Sequence, residues 1–373
     1  MLAAAAVLMV ACSEDSQDEA SAELPFRITP ATATTLPPGY RIESLLDGLE
    51  LPTSIAALPD GRLLITEQET GQVRVVEDGR LLDTPWIEVP VTFYPRGFFQ
   101  ELGLVSVAVD PRFEENGYVY LYYSQDDAEG AWTVFARAKE VDGRGTALTR
   151  LVTMRRAPDN QHIAGGIAFD GPDAILLGVG DHEFQELAQD RSSPMGKILR
   201  MDRDGNALPD NPFVGEPDAD PRVYAYGMRN PFGVAVDPTT GRAFFTDNRD
   251  TVGDALYELE AGADYGWPSH LLLREPLVLY DIPMGVSGIA AYRGTALPEL
   301  TGGIFYCSFH GGGGLYWVDP GELEGLDISK RNRLLAPGCT TGVAEGADGF
   351  LYYLSHSDGR LLRIATTPDA EGS

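Results

Sequence analysis

ELGLVSVAVDPRFEENGYVYLYY, residues 101–123, holds two apolar runs on either side of a polar turn. The first run places a small residue, a valine and an alanine at Ser106-Val107-Ala108, and the second is the aromatic YVYLYY. Short runs rich in β-branched and aromatic residues, separated by turn residues, read as an antiparallel hairpin. Working outward, the same small–Ile/Val–Ala triplet recurs at Ser54-Ile55-Ala56, Gly166-Ile167-Ala168, Gly233-Val234-Ala235, Gly288-Ile289-Ala290 and Gly342-Val343-Ala344. Successive copies are 52, 60, 67, 55 and 54 residues apart, a period slightly above the ~40–50 of propeller blades.

Each copy continues alike. A second apolar run follows a turn (GRLLITE 61–67, DAILLGVGD 173–181, GRAFFTD 241–247, GGIFYCSF 302–309, GFLYYLS 349–355), then a third such as GKILRMDRDG or GLYWVDPG. WIEVPV (86–91) and LTRLVTM (148–154) read as fourth, outer strands. The sixth copy lacks one, and YRIESLLDG (40–48), ahead of the first copy, can supply it and so remove two open sheet edges. The expectation is an all-β, six-bladed β-propeller over 38–367, with four-stranded antiparallel blades and a ring closed by an N-terminal strand. Residues 368–373 form a short tail.

Composition agrees. The 373 residues include 42 Gly, 26 Pro, 16 Tyr and 15 Phe but only 7 Met, which favours turns and strands over helical bundles. With 28 Lys+Arg against 56 Asp+Glu the formal charge is −28, which repels phosphate backbones and anionic lipid and argues against a nucleic-acid partner. The opening MLAAAAVLMVA is too short to span a bilayer, which needs about 20 residues. Ending in Val10-Ala11-Cys12, segment 1–12 resembles a bacterial lipoprotein signal with Cys12 lipidated, although no Lys or Arg precedes Arg27. Residues 13–37, beginning SEDSQDEASAE, then read as an acidic disordered tether, and the protein as exported and held to a membrane only through Cys12. In that compartment Cys307 and Cys339 can pair, or both remain buried thiols.

In an antiparallel blade the start of the first strand and the end of the second share one end. Glu101, Gln161, His162, Arg229 and Asn230 precede first strands; Glu67, Asp181, Asp247, His310 and His356 follow second strands. All therefore crowd one mouth of the ring. His162 and Asp181 fall in one blade, where a carboxylate beside an imidazole sets its tautomer and suits a general base, or serves as a structural hydrogen bond. Arg229 can grip a carboxylate or cap loop carbonyls. No HExxH or GxSxG occurs, which leaves zinc hydrolysis and serine-esterase chemistry without support.

Four stretches then resemble one family: YAYGMRNPFGVAV (224–236), GKILRMDRDGNALPDNPF (196–213), GADYGWP (262–268) and the opening 101–123. They are similar to the soluble PQQ-dependent sugar dehydrogenases of the glucose/sorbosone dehydrogenase family, over roughly residues 40–365. The resemblance implies that His162, oriented by Asp181, takes the proton of a sugar's anomeric hydroxyl. Hydride passes to pyrroloquinoline quinone (PQQ), and Ca²⁺ polarises the quinone. It further implies that Arg229 and Asn230 hold the quinone, that Glu101 and Gln161 face an aldose substrate, and that a cytochrome or quinone accepts the electrons. Three positions depart from the family pattern. Asn248-Arg249-Asp250 replaces an HGP-like turn whose carbonyls would hold calcium, which leaves the carbonyls of Arg249 and Asp250 as the expected ligands. Asp254-Ala255 replaces an acidic pair, and His310 stands where a Lys or Arg would meet a PQQ carboxylate. Two other readings stay open: a binding module that has lost PQQ, and a calcium-dependent propeller lactonase using Glu67, Asp181, Asn230 and Asp247.

Overall fold

A computed structural model describes residues 34–94, 101–157, 161–250, 253–269, 271–319, 321 and 333–367. Cys12, the segment 1–12, most of the expected tether and the tail 368–373 lie outside them. The described residues form six antiparallel sheets arranged as blades of a ring. First strands run Pro52–Ala57, Leu104–Val109, Ala164–Asp170, Pro231–Val236, Val286–Ala291 and Val343–Glu345, each containing its triplet. Tyr40–Leu46 pairs with Arg360–Thr366 and completes the sixth blade, closing the ring as expected. Among the described residues no helix is long and apolar enough to cross a membrane.

Small residues in the first strands are a steric requirement. A Cβ on Gly166 would lie 2.6 Å from the Val234 nitrogen, and one on Gly288 2.1 Å from the Thr341 carbonyl oxygen. Inner strands of neighbouring blades therefore touch backbone to backbone. Hydroxyls join them: Thr53 Oγ1 donates to the Leu104 carbonyl, Thr246 Oγ1 to Ser287 and Thr341 Oγ1 to Pro52. Outside this polar axis, apolar residues fill the wedge between each pair of blades. Tyr120 and Phe135 of blade two meet Ile175 and Leu199 of blade three, and Ile55 and Ile65 of blade one meet Tyr352 and Leu354 of blade six.

Three stretches differ from their sequence reading. In 86–91 only Ile87–Glu88 pairs as strand, because Trp86 turns inward, 1% exposed, and donates to Glu140 at 2.7 Å. The third blade's outer strand is Val223–Tyr226, overlapping the start of the motif 224–236. Thr34–Leu36, placed in the tether, lie on the fifth blade: Thr35 N–H donates to the Leu334 carbonyl at 2.6 Å and Leu36 packs into the adjoining core.

Candidate functional site

At one end of the axis a cavity of about 280 Å³ opens, lined among others by Glu101, His162, Arg229, Asn230, Arg249 and His310. Phe232 forms part of its floor and also lines a narrower space of about 90 Å³ between the inner strands. The register slips near the mouth end of five of the six first strands, as between Ala164 and Ile167 and between Pro231 and Gly233. Such bulges re-aim side chains next to functional sites.

His162 sits just before the third blade's first strand with φ of +57°, a left-handed conformation uncommon for a residue bearing a Cβ. The turn is held from below. His162 carbonyl accepts the His182 N–H at 3.2 Å, and it passes so close to Gly180 that a Cβ there would lie 1.8 Å from its oxygen. Asp181, fully buried, places Oδ1 2.9 Å from His162 Nδ1. The same carboxylate accepts the Glu183 N–H at 2.8 Å and the Trp267 indole N–H at 2.9 Å. A carboxylate fixed on three sides holds the proton of the neutral imidazole on Nδ1, which leaves Nε2 as the basic nitrogen.

Beside it runs a second polar chain. Glu101 accepts Asn230 Nδ2 at 2.9 Å and the Ile163 N–H at 2.9 Å, and its own N–H donates to Gln161 Oε1 at 3.0 Å. Asn230 N–H donates to Asp247 Oδ1 at 2.8 Å. Burial pushes the carboxyls of Glu101 and Asp247 above the usual carboxylate range, against the pull of His162 and Arg229 on the first and of Arg249 and Arg229 on the second. Arg229 donates to the Asn248 carbonyl at 3.0 Å and lies 5.7 Å over the Trp267 ring.

The structure thus brings Glu101, Gln161, His162, Asp181, Arg229, Asn230 and Asp247 together, with His310 on the exposed rim. Glu67 stands apart: it is buried against Arg74 at 3.3 Å and accepts the Glu50 N–H, a structural ion pair off the cavity. His356 is buried and bonded to Gln68 at 2.8 Å. At the 248–250 turn the Asp250 carbonyl accepts the Gly253 N–H at 3.0 Å, while the Arg249 side chain folds inward, 2% exposed. Cys307 and Cys339 are disulfide-bonded with Cα atoms 5.1 Å apart, joining blade five to the loop that leads into blade six. Sequence reasoning missed Trp267 as a partner of Asp181 and Asp254 as a cavity residue. Trp267 stood in a quoted motif, but nothing in its spacing links it to an aspartate 86 residues away.

Comparison with known proteins places the chain in a family. The model of the glucose/sorbosone dehydrogenase family matches residues 49–363. An uncharacterized protein of Synechocystis is 31% identical over 369 residues, covering 88% of this chain and 87% of its own. Aldose sugar dehydrogenase YliI of Escherichia coli is 26% identical and covers 88% and 94%. Among solved structures, a Thermus thermophilus oxidoreductase (glucose dehydrogenase) superposes with a TM-score of 0.73 at 30% identity, over 87% of this chain and all of its own. The PQQ-bound aldose sugar dehydrogenase of Streptomyces coelicolor shares the fold at a TM-score of 0.69 and 24% identity, over 89% of this chain and all of its own. With the family model matching residues 49–363 and a relative 31% identical over 88% of the chain, the chain belongs to the glucose/sorbosone dehydrogenase family.

Proposed function

We propose that this protein is a quinoprotein that oxidises the anomeric hydroxyl of aldose sugars to lactones. The observation that carries the reading is the His162–Asp181–Trp267 chain opening onto a cavity that also holds Arg229 and Asn230. His162 Nε2, left free to accept by the carboxylate that holds Nδ1, takes the hydroxyl proton as the C–O bond gains double-bond character. Asp181 stabilises the imidazolium that results, and Trp267 keeps Asp181 from rotating away. Glu101 and Gln161 face the sugar at the same mouth. PQQ, when bound, supplies the two-electron acceptor for the hydride leaving the anomeric carbon.

The residues present fit that group. Arg229, Asn230 and His310 border the cavity, and Asn230 Oδ1 is a buried polar atom without a partner among the described residues, as is Asn248 Oδ1. A bound polar ligand answers that lack. Calcium, which takes oxygen ligands, suits the same neighbourhood: these two amide oxygens, the unpartnered Asp247 Oδ2 and the main-chain carbonyls of Arg249 and Asp250. Among the described residues no group of three His, Cys, Asp or Glu side chains forms a metal site, so amide and main-chain oxygens would have to do the holding. The proposal extends to export, with Cys12 as lipid anchor, and to a cytochrome or quinone as electron acceptor. Mass spectrometry of membrane-extracted protein finding an acylated Cys12 would support the anchor; an unmodified Met1 start would reject it.

The test of the activity is reconstitution. The full chain with Ca²⁺ and PQQ should reduce an artificial dye at the expense of an aldose. His162→Ala should lower kcat by about 10²–10⁴-fold with little change in PQQ affinity. A folded protein that binds no PQQ at any calcium level, or a His162→Ala variant with full turnover, overturns the reading.

A further inference from the structure

Arg249 is a buried guanidinium with one edge unused. Its Nη1 donates to Tyr257 Oη at 3.0 Å and to the Tyr265 carbonyl at 3.1 Å, which fixes the group from one side. Its Nε and Nη2 have no acceptor among the described residues, although the residue is 2% exposed and lines the cavity. Those two nitrogens form a single edge of the planar fork, the edge that matches the two oxygens of a carboxylate. The molecule uses that edge elsewhere in this way. Arg222 donates from Nε and Nη2 to Asp220 at 2.9 and 2.6 Å, Arg242 to Glu258 at 2.8 and 2.7 Å, and Arg203 to Asp110 at 2.8 and 3.1 Å. Arg249 has no such partner within the chain. Asp247 attracts it, yet no hydrogen bond joins them and Asp247 Oδ2 also stays unpartnered.

The charge of the cavity points the same way. Arg229 and Arg249 bring two guanidinium groups to its lining. Of the acidic groups that line it, Glu101 is turned to Asn230 and the Ile163 N–H, Asp254 to the Met284 and Gly285 N–H groups, and Asp250 is exposed on the turn. A chain of net charge −28 thus places two guanidinium groups at the mouth of its ring. A buried donor pair left unsatisfied is costly, and an incoming anion removes that cost.

We propose that Arg249 is a binding residue for a carboxylate of the cavity's ligand, gripping it bidentately through Nε and Nη2. The inference rests on the quinoprotein reading for the identity of the ligand, PQQ with its three carboxylates, but not for its anionic character. It also supplies a cation to a cavity in which His310 stands at the position of the family's Lys or Arg.

The experiment compares PQQ with its uncharged trimethyl ester by calorimetry, on the full chain and on Arg249→Gln and Arg249→Lys, with thermal unfolding as the check on folding. Arg249→Gln should weaken PQQ by roughly 10–100-fold, the usual worth of a charged hydrogen bond, and the ester hardly at all. Arg249→Lys should recover part of the loss. Equal weakening of acid and ester would make Arg249 a structural counter-ion of Asp247 and overturn the proposal, as would unchanged PQQ affinity. Benzene-1,3,5-tricarboxylate is the second probe. If the full chain binds it in an Arg249-dependent way but does not bind PQQ, the anion site stands and the quinoprotein reading falls; if it binds neither, both fall.

Discussion

Replacing Gly180 by alanine would put a methyl carbon 1.8 Å from the His162 carbonyl oxygen and 2.5 Å from its carbonyl carbon. Real Cβ atoms essentially never come closer than 3.0 Å, so the two segments must part by roughly 1.2 Å. Neither side yields easily. Gly180 donates to the Ile163 carbonyl and accepts from Gly196, and the His162 turn is tied down through His182. The cost falls on the imidazole, because the displaced backbone carries it. A misplacement of about 1 Å in a catalytic group can lower turnover about 10²-fold, and overpacking of this kind destabilises by roughly 1–3 kcal/mol. Dye-coupled aldose oxidation by the reconstituted protein would read the first effect and urea unfolding the second. Gly171→Ala is the control: its Cβ meets nothing within 4 Å, so only the left-handed backbone, φ +72°, resists it, at about 1 kcal/mol and with normal turnover. If Gly180→Ala kept wild-type kcat and stability, the argument that this glycine seats His162 would be refuted.

Asp181→Asn should cut kcat by about 10²–10⁴-fold in the same assay. Turning its oxygen to His162 and Glu183 sets the amide against the Trp267 N–H, and the buried mismatch should lower stability by about 1–3 kcal/mol. Asp254, 1% exposed, accepts the Met284 and Gly285 N–H groups at 2.7 Å each, and burial pushes its carboxyl up to about 6. Its folded form thus binds a proton more tightly than its unfolded form, so its contribution to stability falls as pH rises from about 4 to 6. Asp254→Asn, whose amide oxygen still accepts both bonds, should remove that fall and add up to about 3 kcal/mol above pH 6; wild type and variant unfolded in urea at pH 4.5 and 7.5 would check it. Removing both Cys307 and Cys339 should cost about 3.5 kcal/mol in the chain-entropy view, since the bridge closes a loop of 32 residues; non-reducing peptide mapping that found both thiols free would exclude the bond.

The ring itself was legible in the chain. Triplets of small, branched and alanine residues at near-constant spacing specify identical strands that must sit where backbones touch, and Gly166, Gly233 and Gly288 confirm that contact. The closing strand at 40–46 was legible too, because a sixth blade without a fourth strand leaves an edge that some other segment must cover. So was the pairing of His162 with Asp181, since both belong to one blade and hairpin geometry alone sends them to one end. Less legible were outer strands. LTRLVTM (148–154) did show within Arg144–Arg156, but Val223–Tyr226 is only four residues long and passed as part of a motif.

What only the tertiary structure decided are contacts between blades and the direction each side chain takes. Sequence spacing assigns Glu67 and Asp247 the same place in the first and fourth repeats, yet one turns to Arg74 and the other to Asn230. Trp267 of the fourth blade reaches Asp181 of the third, and Glu101 reaches Asn230 across a separation of 129 residues. Arg249, read from the sequence for its carbonyl, also turns its side chain inward, where Tyr257 and Tyr265 of its own blade hold the guanidinium. A repeat fixes position along the blade by period, which is local. Which rotamer a polar group adopts depends on the partners that the closed ring carries to it, and those lie far away in the chain.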